Sequence, residues 1–407
     1  MSSKRAASYT SLALFLIGIL FLRYQLSLEQ KPKEGSIVLE GTVLDEPQRR
    51  GQSLYFSFQG YKVRTRAYPS ISYGDNIEIK GIIQEKNFLS FPQITIKEES
   101  SNLVIRFLAA VRSRMKTVIE KSLPEPAAAL LKGLLLGIKS DLPDDFSDNL
   151  RRTGTIHVVV VSGFNISLVG GFFLSLAGIL RRRVAITASL IAILFYTLLT
   201  GATAPTVRAA IMGGLAFGAN FFGRANFPIY TLVLAAYIMV FLSPQVIFDI
   251  GFQLSFFATA GILLFKDFFS KIFAKIISPF GEDLAITLSA QALVIPIIFF
   301  NFGTVSILSP LVNALVLWTI PLSTLLGFIL VLTGLVFLPV AYFLAWIIQI
   351  PLTIFIFLIN KIGQFPVNLI EIKSDRLVLF IMYYSVLTLV ILIIKKIHHA
   401  RIARTKN

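Results

Sequence analysis

The sequence predicts a polytopic α-helical membrane protein of about ten transmembrane helices, carrying a small extracytoplasmic β-barrel. Three observations lead there. Of the 407 residues, 55% are hydrophobic and only 15% charged. Beyond Thr153 the apolar runs reach the roughly 20 residues that a membrane helix needs. Residues 36–98 instead alternate apolar and polar positions in short segments.

Residues 1–28 hold the first apolar run, Ser11 to Leu26, behind Lys4 and Arg5. Arg23, Tyr24 and Gln25 stand where a cleaved leader would carry small residues. The segment therefore reads as a retained anchor with its N-terminus inside.

In residues 36–98, "SIVLEGTVL", "QSLYFSFQ", "YKVRTRAY", "DNIEIKGII" and "FPQITIK" are separated by "DEPQRRGQ" and "SYGD", which predicts five strands and suits an OB-fold. Such barrels bind single strands by pairing aromatic platforms with cations. Tyr55, Tyr61, Lys62, Arg64 and Arg66 are the expected surface, with Phe56 and Phe58 nearby. The plainer alternative makes half of the aromatics core and the cations a solvated face.

Residues 103–150 are expected to form amphipathic surface helices and a loop. Val104, Leu108, Val111, Met115 and Val118 recur at three- and four-residue steps, the pattern of a helix lying along a membrane.

Residues 151–396 form the transmembrane core, with apolar segments near 154–180, 184–201, 206–222, 228–242, 248–265, 284–300, 311–336, 338–359 and 377–394. Arg181 to Arg183, Arg224, Lys266, Lys271, Lys275 and the basic tail 397–407 all fall on the side of Lys4 and Arg5. The positive-inside rule then puts both termini in the cytoplasm and the barrel outside. The net charge of +16 favours anionic partners, although basic cytoplasmic loops account for much of it.

Polar residues at bilayer depth point to function, because each needs a partner or water. His157, Ser162, Gly163 and Asn165 open one apolar segment behind Arg151 and Arg152. Asp249 and Gln253 lie one turn apart, with Ser255 and Thr259 as a second stripe. Ser289, Gln291 and Asn301 surround Pro296, while Ser306, Ser309 and Asn313 fall between Pro296 and Pro321. Helices broken at such residues suggest a water-filled cavity. Arg208 either snorkels to the interface or sits at a pore mouth. Ala210, Gly214 and Gly218 form a small-residue stripe for close helix contact.

Several enzyme classes are excluded. The chain has no cysteine, which removes thiolate metal sites and thiol nucleophiles. "GLLLGIKS" lacks the G-x-x-x-x-G-K-[ST] spacing of a phosphate loop, and Ser162 lacks a G-x-S-x-G elbow. Three histidines, two of them His398 and His399 in the tail, do not furnish a catalytic zinc site. No cofactor is expected. An intramembrane hydrolase, or a transporter of another substrate, using His157, Asp141 or Asp249 stays open as the alternative.

"LLKGLLLGIKSDLPDDFSDNLRRTGTIHVVVVSGFNIS", "TVRAAIMG", "DIGFQLSFFATAGI" and "SAQALVIPIIFFNFGTVSILSPLVNALVLWTIP" together resemble, in order, the motifs of the ComEC competence family of DNA-uptake channels. The resemblance implies a membrane conduit for single-stranded DNA during natural transformation, served by a DNA receptor and a cytoplasmic ATPase motor. It implicates His157, Ser162, Gly163, Arg208, Asp249, Gln253, Gln291 and Asn313 along the path. Two departures matter. The family commonly reads Ser-Gly-Leu-His where this chain has Ser162-Gly163-Phe164-Asn165, which removes a titrating imidazole there. The sequence also stops at Asn407 without the metallo-β-lactamase-like domain of many relatives, so no nuclease activity is expected from this polypeptide.

Overall fold

The computed structural model describes residues 16–27, 35–50, 52–66, 71–84, 88–97, 102–276, 278, 280–365, 369–371 and 375–389. The first half of the expected anchor and the basic tail 397–407 lie outside the described residues.

The N-terminal strands are β1 (Gly35–Thr42), β2 (Gln48–Arg50), β3 (Ser53–Phe58), β4 (Tyr61–Arg66), β5 (Asn76–Gln84), β6 (Phe88–Ser90) and β7 (Gln93–Ile96). Five match the expected segments. The two additions, β2 and β6, are three residues each, too short to show a period. The sheet order is β1-β5-β6-β4-β3-β2, with β7 also on β5 and a parallel pair β4–β6. Leu39 of β1 shares one buried cluster with Leu54, Phe56 and Phe58 of β3, so the sheet curls until its ends approach. Gln59 Nε2 donates to the Glu40 carbonyl at 2.7 Å across that gap. Among the described residues no ladder joins β1 to β3, and the sheet is a half-barrel where a closed barrel was expected.

Helix α1 is Leu16–Ser27, and α2 (Leu103–Ser122) starts at Asn102, whose Oδ1 accepts from the Val104 and Ile105 amides. Leu108, Met115, Val118 and Ile119 are buried against other helices, whereas Val104 is exposed. Helix α3 (Ala127–Leu136) is buried at all ten positions and ends at Gly137, φ +73°. The expectation of a surface segment therefore fails here, because α3 is the centre of the core. Gly327 lets another helix approach it, since a Cβ there would lie 2.6 Å from Leu131 Cδ1. Helix α4 (Asp144–Arg152) carries Asp144 and Asp145 in its first turn and Arg151 and Arg152 in its last, complementing the helix dipole.

The remaining helices are α5 (Gly163–Ser175, prolonged by a short 3-10 turn), α6 (Arg182–Leu199), α7 (Ala204–Phe221), α8 (Pro228–Leu242), α9 (Ile250–Ile272), α10 (Phe280–Phe302), α11 (Ser309–Val316), α12 (Thr319–Val336), α13 (Leu338–Gly363) and α14 (Arg376–Leu389). A strand pair, β8 (Thr304–Ser306) with β9 (Leu369–Glu371), links α10 to the segment after α13. Helices α6, α9, α10, α12 and α13 are long and apolar enough to cross a membrane, and α1, α3, α5, α8 and α14 are shorter apolar helices. This makes a multi-pass membrane protein.

Three expectations are corrected. The run 154–180 is not helical until Gly163, because the turn Thr153-Gly154 and the following buried valines are held by tertiary contacts. Pro296 does not break α10: the carbonyl it leaves free, that of Ala292, accepts from Tyr383 Oη of α14 at 3.1 Å. The break falls instead between Val316 and Thr319. The stripe ending at Gly218 has nothing within 4 Å of that residue; the close approach is made by Gly261 of α9, which lies on the Ser289 carbonyl of α10.

The half-barrel is mounted on the C-terminal end of α6. Tyr73 Oη donates to the Leu198 carbonyl at 2.9 Å, and Arg112 Nη1 to that of Leu199. Both carbonyls belong to the last turn, which a helix cannot satisfy itself. Arg112 also pairs with Glu46 at 2.8 Å and lies over the Tyr73 ring.

Candidate functional site

Because α5 and α6 run antiparallel, the mount at the end of α6 puts the half-barrel on the same side as the start of α5. That side carries the stretch 151–165. Thr153 Oγ1 donates back to the Asn149 carbonyl at 2.8 Å and closes α4. Gly154, φ +70°, turns the chain, and His157 Nδ1 donates to its carbonyl at 3.0 Å. A carbonyl only accepts, so Nδ1 carries a proton in this contact. Val159 packs against Gly133 of α3, and the chain re-enters a helix at Ser162-Gly163.

Two polar seams meet this stretch. At the first, a Cβ on Gly154 would lie 2.8 Å from Ser309 and 3.1 Å from Ser306. Gln291 Nε2 donates to Ser309 Oγ at 2.9 Å, and Asn313 Nδ2 does so at 3.5 Å. Asn313 Oδ1 and Ser306 Oγ are buried and make no hydrogen bond to the protein. Such orphans need water or a ligand.

At the second seam, Arg208 of α7 comes within 3.7 Å of a Cβ placed on Gly163. Its Nε donates to Ser255 Oγ and its Nη1 to Thr259 Oγ1, each at 2.7 Å. Thus the stripe Ser255-Thr259 holds a guanidinium beside the N-terminus of α5, and Arg208 turns inward rather than snorkelling. Ser162 occupies the cap position of α5 without capping it.

Other expected residues are placed elsewhere. Asn165 is buried and donates Nδ2 to the Leu134 carbonyl at 2.7 Å, so it ties α5 to α3 and does not face the seams. Asp249 caps α9 through the Phe252 amide at 2.7 Å, and Gln253 Nε2 donates to the Ile247 carbonyl at 2.8 Å. Arg151 and Arg152 are exposed at the end of α4, Arg151 beside Asp148 at 3.4 Å. Asp141 pairs with Lys132 at 2.7 Å. His157, Asp141 and Asp249 thus each have a different partner. Among the described residues no group of three or more His, Cys, Asp or Glu could hold a metal.

On the half-barrel, Lys62 and Arg66 are exposed and Tyr55 and Arg64 half-buried. Tyr61, expected on the surface, is instead in the core at 5% exposure. Period two gives the reason: it shares the inward face with Val63. Arg64 lies over the rings of Tyr55, 5.7 Å, and Phe91, 4.9 Å. Phe91 heads the "FPQITIK" segment but was missed as a surface aromatic, since it sits in a bend at φ +48° two residues before β7 begins. Also missed was Lys132, whose side chain is 3% exposed and pairs with Glu120 at 2.8 Å as well as Asp141. A lone cation inside "LLKGLLLG" could have flagged it.

A family model described as "Competence protein" matches residues 134–397. ComE operon protein 3 of Bacillus subtilis (strain 168) is 26% identical over 223 residues, 53% of this chain and 28% of that protein. The protein YcaI of Escherichia coli (strain K12) is 24% identical over 267 residues, 60% of this chain and 33% of that one. A protein of Aquifex aeolicus (strain VF5) is 34% identical over 157 residues, 38% and 37% of the two chains. The chain thus spans between 28% and 37% of the length of these relatives. No solved structure matches.

Proposed function

As this chain belongs to the competence protein family, we propose that it is a passive conduit for single-stranded DNA through the cytoplasmic membrane during natural transformation. The observation that carries this reading is Arg208 at the N-terminus of α5. A guanidinium and the positive end of a helix converge there without an intervening carboxylate, a combination suited to a phosphodiester. The Gly154–Ser309 seam supplies neutral donors and acceptors alongside, and Arg151 and Arg152 concentrate the polyanion outside.

In this arrangement α1, α5 to α10 and α12 to α14 are the roughly ten crossings, both termini are cytoplasmic, and the half-barrel acts as an OB-type receptor surface for the strand. The chain carries no phosphate-loop motif, so a separate ATPase pulls the strand, and a separate DNA receptor delivers it.

The test is import into vesicles that contain the full chain and a trapped complementary strand. A fluorescent single-stranded oligonucleotide should enter and hybridise with the wild type and fail to with Arg208→Gln. Folded wild-type chain that admits none contradicts the reading.

A further inference from the structure

The polar seam at Gly154 has a continuation in α12. Ser323 (1% exposed) and Thr324 (0% exposed) are buried there, and neither hydroxyl has a hydrogen-bond partner among the described residues, as with Ser306 Oγ and Asn313 Oδ1. A buried hydroxyl within a helix ordinarily donates to a carbonyl one turn back. Thr319 of the same helix does so, to Val316 at 2.7 Å. Ser323 and Thr324 are left for something outside the helix.

The unpartnered groups share one face. Leu317 and Trp318 interrupt the hydrogen-bonded ladder yet keep right-handed helical angles, φ −62° at each, so α12 carries on the winding of α11. Asn313 and Thr324 are eleven residues apart, about three turns, and Ser309 lies one turn before Asn313. At one end of this stripe Ser309 abuts Gly154; at the other Gly327, one turn past Thr324, abuts Leu131 of α3.

The stripe is also free of charge. No Asp, Glu, Lys, Arg or His occurs from residue 284 to 360, so α11, α12 and nearly all of α13 bring no ion to it, and Lys132 of α3 is taken by Glu120 and Asp141. A divalent cation would call for carboxylates and a tightly held anion for a cation. Hydroxyl and amide groups suit water and a polyanion that has to move on, because conduction needs contacts firm enough to admit and weak enough to release.

On the conduit reading given above, we propose that the route of the strand beyond Gly154 follows this stripe, with Asn313, Ser323 and Thr324 along its wall.

The chain has no cysteine, so a single one introduced reports its own position. The test uses vesicles containing the full chain and a single-stranded oligonucleotide that carries maleimide groups along its length and streptavidin on its trailing end, which stalls it in the passage. Asn313→Cys and Thr324→Cys should crosslink to the strand about tenfold faster than Ser189→Cys, since thiol reactions follow access. Ser189 is the matched control, an equally buried hydroxyl that donates to the Gly170 carbonyl at 2.8 Å. Rates equal to that of Ser189→Cys, in variants that still import the unblocked oligonucleotide, overturn the route and leave the conduit standing. A wild-type chain that imports none fails the conduit reading and the route with it. If Thr324→Cys does not fold, Ser323→Cys decides in its place.

Discussion

Arg208 reaches from α7 to α9 and donates Nε to Ser255 Oγ at 2.7 Å, which holds its guanidinium beside Gly163. The hydroxyl positions the charge without neutralising it. Replacing Arg208 by Gln should lower uptake of labelled DNA about tenfold or more, the loss expected for one charge-assisted hydrogen bond to phosphate. Lys should restore part of it. Immunoblotting of the membrane fraction separates this from loss of the protein.

Gly154 needs φ +70° and has Ser309 2.8 Å from where a Cβ would stand. Gly154→Ala should therefore cost about 2 kcal/mol and disturb the carbonyl that holds His157. Gly171, with nothing within 4 Å, is the control. A thermal melt in detergent should show a lowered midpoint for Gly154→Ala and none for Gly171→Ala.

The half-barrel is held through Arg112 and Glu46. Burial raises the Glu46 pKa above its ordinary value even though the Arg112 guanidinium opposes this. The carboxylate is thus costly to keep charged, whereas Arg112 also satisfies the end of α6. Arg112→Ala should destabilise by about 3 kcal/mol and Glu46→Gln by clearly less. Equal losses in urea titrations would show that the ion pair alone fastens the sheet.

Asp141 titrates in the opposite sense. Burial would raise its pKa, but the hydrogen bond and charge of Lys132, joined by Lys116, outweigh this and hold it below its ordinary value. Its folded pKa lies below the unfolded one, so the stabilisation is present above about pH 4 and lost as pH falls through the folded value. Asp141→Asn should melt earlier than wild type at pH 7, by about 2 kcal/mol, with the difference closing as pH falls through the folded pKa of Asp141. A gap that persists at low pH would assign the effect to packing.

Phe91 presents an aromatic ring at half exposure from a left-handed backbone that bulky residues avoid, and Arg64 stacks on it. Phe91→Ala and Arg64→Ala in the full chain should each weaken binding of a single-stranded oligonucleotide about tenfold. Only Arg64→Ala should also reduce the salt dependence, by about one unit of slope. Fluorescence anisotropy at several salt concentrations reads both.

Five strands of the N-terminal sheet were legible because alternation shows in short windows, and most membrane helices because long apolar runs have few other uses. The polar set was legible as a set, but its partners were not. Nothing local says that Arg112 meets Glu46, or that a carbonyl freed by Pro296 is taken up by Tyr383 from another helix. Asn165 misled for a related reason: an amide at the start of an apolar run has the same pattern whether it faces a passage or ties down a buried helix end. The burial of α3 was hidden because a ten-residue apolar helix fits an interface as well as a core.

In the proposed function the polar seams beside Gly163 and Gly154 conduct an unpaired polynucleotide. A deletion strain scored for labelled DNA, with surface-bound and internalised fractions counted separately, tests it most directly. Internalisation should vanish while surface binding persists, and wild-type chain should restore it where Arg208→Gln does not. Undiminished internalisation in the deletion strain, or full rescue by Arg208→Gln, would contradict it.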